Sequence, residues 1–153
     1  MRIIVLSDTH GRRSLVRATL EKAGRFDVLL YAGDGCDDVA DIQNATVYCV
    51  RGNCDYNTQH PKERVLELGG MRILLVHGHK YHVKSGLYTL YYRAQEVNAD
   101  YVVFGHTHQS LITQLGGVTF INPGSLVFAS QDGKRYYAYI DTSMKPCSGL
   151  ISV

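Results

Sequence analysis

Five times along the chain a run of Val, Ile and Leu stops, and an Asp, Asn or His appears beside a glycine. "RIIVL" runs into "SDTHG", with Asp8 and His10, and "VLLY" runs into "AGDG", with Asp34. "TVYCV" is followed by "RGNCD" with Asn53, "RILLV" by "HGH" with His77, and "YVVF" by "GHTH" with His106 and His108. Short, fully apolar runs of this kind suit strands buried on both faces, which requires a layered sheet with cover on each side. In an open α/β sheet, the loops at the carboxyl ends of parallel strands face one crevice. If most of these strands run parallel, the seven polar side chains converge there.

The intervening segments support such layers. Arg2 to Leu6 reads as the first strand, and Arg12 to Ala23 as a helix with Val16, Leu20 and Ala23 on one stripe, stopped by Gly24. Asp27 to Tyr31 and Thr46 to Val50 are further strands, with a short helix expected around Asp38 to Ile42. Gly69-Gly70 and Gly116-Gly117 each separate two apolar runs, the mark of a β-hairpin. Ser85 to Asn98 is predicted helical, with Leu87, Leu90, Tyr91, Ala94 and Val97 on one face. Tyr101 to Phe104, "RYYAYID" and "GLISV" complete the strands. Strand–helix alternation followed by hairpins predicts an α/β fold of two packed sheets with helices outside, and one domain over residues 1–153.

Composition removes several classes. With 153 residues, 45% hydrophobic and 20% charged, the chain can bury a full core. A net charge of +2 offers no broad basic field, which argues against nucleic acid as a partner. No apolar run approaches the roughly 20 residues of a membrane span, and the N-terminal stretch lacks the pattern of a signal peptide. Cys36, Cys49, Cys54 and Cys147 have no Cys-x-x-Cys spacing and read as reduced thiols of a cytoplasmic protein.

The strand-end donors are four His, two Asp and one Asn, all nitrogen or oxygen. Seven exceed the four that a single zinc takes. They suit two divalent cations that share a carboxylate and keep positions open for water and substrate. Each fragment alone has a plainer reading as a turn or a hydrogen-bonded histidine. Only Gly-His-Thr-His carries weight by itself, and the force lies in five fragments at five strand ends.

In this order the motifs resemble the calcineurin-like metallophosphoesterases, and most of all their small phosphodiesterase branch, whose relatives include the retromer subunit Vps29. The pattern D-x-H, GD, GN, H and GH-x-H is met by Asp8/His10, Gly33-Asp34, Gly52-Asn53, His77 and His106/His108. "INPGS", Ile121 to Ser125, also resembles a segment of this branch. The resemblance implies an αββα sandwich of two mixed sheets, with one metal held by Asp8, His10, Asp34 and His108. The second would be held by Asp34, Asn53, His77 and His106, with Asp34 bridging. It further implies a metal-held hydroxide as nucleophile, positioned by Asp34, Asn53 and His106. Manganese is the expected metal, with Fe, Co, Ni or Zn as alternatives, and a small-molecule phosphodiester the expected substrate.

One position departs from the pattern. Where many enzymes of the superfamily carry a histidine after the motif asparagine, this chain has Cys54, a neutral and weak hydrogen-bond donor. His79 and His82 are the nearby candidates to assist the leaving group. Arg12 and Arg13 open a helix where cations are unfavourable, which suggests contact with a substrate anion. The tyrosines at 88, 91 and 92 and at 136, 137 and 139 read as packing residues, with a homo-oligomer interface as the other use. Two other functions stay open: a weakly catalytic or non-catalytic protein-binding scaffold of the Vps29 type, and a nuclease.

Overall fold

The computed structural model describes residues 1–143 and 146–153. Among the described residues ten strands form two five-stranded mixed sheets. The first has the order β10-β9-β1-β2-β3, from Cys147–Ser152, Tyr136–Asp141, Arg2–Leu6, Val28–Tyr31 and Thr46–Cys49. The second has the order β4-β5-β6-β8-β7, from Glu63–Leu68, Met71–Val76, Tyr101–Val103, Val118–Pro123 and Ser110–Leu115. The helices are α1, Arg13–Ala23, and α2, Tyr88–Glu96.

Alternation of side chains along the strands divides the core into three layers. Ile3 and Val5 of β1 share an inner cluster with Val28, Leu30, Ile73, Leu75, Val103 and Ile121, which fills the space between the sheets. Ile4 and Leu6, on the other face, pack with Val16 and Ala23 of α1. Leu74, Val102 and Phe120 likewise meet Leu90 and Ala94 of α2. The order is helix, sheet, sheet, helix, as expected.

Parallel pairing sets the functional end. β1, β2 and β3 run parallel in one sheet, and β5, β6 and β8 in the other. The five motif-bearing strands therefore finish together at one edge of the sandwich.

Several expected boundaries shift, each for a visible reason. Instead of a helix over Asp38 to Ile42 there is a single 3₁₀ turn at Cys36–Val39. The Asp38 carboxylate is buried and accepts bonds from Thr9 Oγ1 and from the Gly11 N–H at 2.9 Å, so it serves a distant loop. α2 starts three residues later than expected because Gly86, at φ 140°, cannot be helical, and Asn98, at φ 52°, lies beyond its end. Tyr137 is buried as expected, whereas Tyr88 and Tyr92 are exposed, being on the solvent side of α2. Among the described residues no helix is long and apolar enough to cross a membrane.

Candidate metal centre

The backbone at the strand ends is bent into an uncommon shape. Among the described residues seven non-glycine positions have positive φ, and five of them are Asp8, His10, Asp34, His106 and His108. Such conformations cost of order 1–3 kcal/mol each and persist where surrounding structure enforces them. Here glycines make the room. A Cβ on Gly105 would strike Ser7 Oγ and come within 2.5 Å of Asp8 Oδ2, and one on Gly52 would strike Asp34 Oδ1. The glycine beside each polar residue lets two strand-end loops touch.

Side chains converge inside this frame. His108 Nε2 lies 3.2 Å from Asp8 Oδ1, and the Nε2 atoms of His10 and His77 each lie 4.0 Å from that same oxygen. His77 Nε2 is also 3.4 Å from Asp34 Oδ2 and 3.1 Å from Asn53 Oδ1. His10 and His108 bring their Nε2 atoms within 3.4 Å of each other. The His106 ring centroid is 5.0 Å from that of His77. All seven residues expected at the strand ends gather around one spot.

Two features show that the spot suits cations. Asp8 Oδ2 accepts bonds from Ser7 Oγ and from the His106 N–H at 3.0 Å, yet Asp8 Oδ1 is buried with no hydrogen-bond partner among the described residues. A buried carboxylate oxygen without a partner is costly, and a metal ion removes that cost. Second, His77 Nδ1 is 2.7 Å from the Ala32 carbonyl, which fixes its proton there and turns the Nε2 lone pair toward three oxygens. A bare lone pair facing oxygens repels them unless a cation, a proton or a metal ion, lies between. Separations of 3.1–4.0 Å fit that role, since donors about 2.0–2.2 Å from a shared ion stand roughly 3–4 Å apart.

In the metal-free chain a proton takes that place. Burial opposes ionisation of Asp34, but its bond to His77 outweighs this and holds the carboxyl well below the usual range. Burial likewise opposes protonation of His77, yet Asp34 and Asp8 keep its pKa above the ordinary value. Burial, with His77 and Lys84 adding to it, lowers His106 to about 4, so its ring is neutral near pH 7. Burial and Asp34 raise the Cys54 thiol, which is exposed and stays protonated. That thiol lies within metal-ligating range of His10 and Asp34, while the Cys54 N–H donates to Asp34 Oδ1 at 2.8 Å.

Residues outside the expected donor set hold the centre in place. Asp55 accepts four backbone N–H bonds: Asp34 and Gly52 on Oδ2, Gly35 and Cys36 on Oδ1. It clamps the loop after β2 to the loop after β3. Asn122 of "INPGS" donates at 3.0 Å to the Gly105 carbonyl and Thr107 Oγ1, and Ser125 Oγ donates to the Asp8 carbonyl at 2.6 Å. Phe128 stacks on His108 with centroids 4.8 Å apart and meets His10 edge-on at 5.6 Å.

Other expected positions lie further out. Arg13 donates to the Asp37 carbonyl and sits 3.9 Å from the Asp41 carboxylate, while Arg12 is the exposed residue that caps α1. His79 borders the centre, its ring 5.3 Å from His77 and 6.0 Å from His106, and His82 is exposed at positive φ.

The profile of the calcineurin-like phosphoesterase superfamily domain matches residues 1–145. A probable metallophosphoesterase of Methanothermobacter thermautotrophicus is 36% identical over 133 residues, which span 82% of this chain and 77% of that one. The chain belongs to the calcineurin-like phosphoesterase superfamily. Among solved structures it is similar to an archaeal phosphodiesterase, with TM-score 0.77 and 21% identity over the whole of both chains. It is also similar to Vps29 of Entamoeba histolytica complexed with zinc, with TM-score 0.76 and 21% identity over 99% of each chain. These two likenesses concern the fold. Family membership makes the chain a metal-dependent phosphoesterase.

Proposed function

We propose that the chain acts as a single phosphodiesterase domain whose centre holds two divalent cations. The observation that carries this reading is the buried, unpartnered Asp8 Oδ1, ringed by the Nε2 atoms of His10, His77 and His108. In this reading Asp8, His10, Asp34 and His108 hold one cation, and Asp34, Asn53, His77 and His106 hold the other. When bound, the pair supplies positive charge that attracts the phosphoryl group and lowers the pKa of water for in-line attack at phosphorus.

The chain's own residues do the rest. Asp34 and Asp8 leave the centre net positive, so an anionic ester is drawn in. His106, neutral at working pH, contributes a lone pair. Cys54 stands where a histidine would assist the departing oxygen, and its thiol is held protonated. A weak donor there favours diesters with good leaving groups, and His79 is the nearest imidazole not assigned to metal. Arg12, exposed at the start of α1, is the arginine we assign to substrate, whereas Arg13 would first have to leave Asp37 and Asp41. Manganese is the cation we assign, and the cytoplasm the compartment.

A scaffold function is the second reading, favoured by the missing histidine at Cys54 and by the shared fold with Vps29. Replacing Asp34 with Asn separates the two. The phosphodiesterase reading expects calorimetry to find two metal equivalents in the native protein, at most one in Asp34→Asn, and loss of turnover. Wild-type protein that takes up no metal overturns it.

A further inference from the structure

We infer that a second anion subsite adjoins the metal centre, formed by Arg51, Lys62 and Lys80, and that it takes a phosphate monoester carried by the alcohol part of the diester. The inference rests on the phosphodiesterase reading for the substrate's other half. Three cations distant in sequence are brought together by the backbone. The pairing of β4 with β5 sets Glu63 opposite Val76, which places Lys62 across from His77. The Arg51 N–H donates to the Pro61 carbonyl at 2.9 Å, which brings Arg51 beside Lys62. The turn His79–Tyr81 then delivers Lys80 into a cleft of about 300 Å³ that Lys62, His77 and His79 also line.

This cleft has charge that the protein leaves uncompensated. Its one acid, Glu63, is taken by the Arg93 guanidinium, 2.5 Å away, and by the Tyr81 hydroxyl. Among the described residues neither Arg51, Lys62 nor Lys80 forms an ion pair. Lys62 and Lys80 line the cleft and Arg51 joins its edge through the Pro61 carbonyl; consistent with that grouping, Lys80, with Arg51 adding to it, pushes the Lys62 amine below its usual pKa. His79 Nδ1, in the same cleft, is buried without a partner among the described residues. Like charges held together beside an unpartnered ring nitrogen are what an anion would relieve. The position also fits the chemistry, because the cleft begins at His77, whose Nε2 lies 3.1 Å from Asn53 Oδ1 in the metal centre. A phosphoryl group on the metals would place its neighbouring substituent within reach of these cations.

Binding tests this without turnover. The Mn²⁺-loaded protein is titrated with adenosine 3′,5′-bisphosphate and with adenosine 5′-monophosphate, in the native form and in the double variant Lys62→Gln/Lys80→Gln. The subsite predicts the bisphosphate to bind at least ~10-fold tighter than the monophosphate, from two charge-assisted contacts. The ratio should fall toward one in the double variant and persist in Lys22→Gln, a substitution on α1. Equal affinities in the native protein, or a ratio that survives the double substitution, overturns the subsite. So does an oligonucleotide that displaces the bisphosphate at equal phosphate concentration, because that assigns the cations to a nucleic-acid strand. If the bisphosphate preference holds while no diester is hydrolysed, the subsite stands and the phosphodiesterase reading falls.

Discussion

Replacing Asp55 with Asn tests how the loops of the centre are held. The carboxylate accepts N–H bonds from Asp34, Gly35, Cys36 and Gly52 at 2.8–3.1 Å. An amide keeps one acceptor oxygen and turns its NH₂ toward the other two donors, so two backbone N–H groups lose their partner. Each stranded donor costs about 1–3 kcal/mol, and access of water to this half-buried site recovers part, leaving a loss of about 3 kcal/mol. In a chain of this size that lowers Tm by roughly 6–12 °C. The measurement is urea and thermal unfolding in chelator, with no metal to mask the effect. Since the Asp34 N–H is one of the four, metal affinity should fall as well. An unfolding free energy within about 0.5 kcal/mol of the native protein, the usual range for a neutral surface change, would refute the clamp.

Other outcomes follow from the same contacts. Phe128→Ala should weaken binding of one metal equivalent by about 2–10-fold, since ring contacts of this kind contribute roughly 0.5–1.5 kcal/mol, and Phe128→Tyr should restore it; calorimetric titration reads both. Metal removal should lower stability by about 2.7 kcal/mol for each cation lost, relative to protein at 100 times that cation's Kd, read as a metal-dependent Tm. For Glu63, burial opposes ionisation, but Arg93 and Tyr81 outweigh it and lower the pKa. A lowered folded value means that its contribution is present above the unfolded value of about 4.3 and is lost as pH falls through the folded one. Glu63→Gln should therefore be less stable by about 1 kcal/mol at pH 7, with the gap closing below pH 4 in urea unfolding. A gap that does not change with pH would detach the effect from ionisation. Gly105→Ala should lose metal binding, because the added methyl collides with Ser7 and Asp8.

What was legible in the sequence was whatever has a local signature. Apolar runs ending at glycine marked β1, β2, β3, β5 and β6, and the donors they carry are those that meet in space. The double glycines marked both hairpins. Contacts that cross the chain left no such trace. Asp38 looked like a helix-starting acid, but its partners Thr9 and Gly11 lie 29 and 27 residues away. Ser125 holds the Asp8 loop over 117 residues of sequence, and Phe128 reaches His10 and His108 from a loop without periodicity. The Arg12-Arg13 pair gave no sign that Asp37 and Asp41 would engage Arg13. The basic cleft was equally hidden, since a net charge of +2 averages away the grouping of Arg51, Lys62 and Lys80.

The central claim is tested most directly by hydrolysis of a chromogenic phosphodiester by chelator-stripped protein, before and after Mn²⁺ is added, with the matching monoester as control. The account predicts no turnover without metal, and restored turnover that favours the diester. Metal-independent hydrolysis, or silence toward the diester with every divalent cation tried, would contradict it.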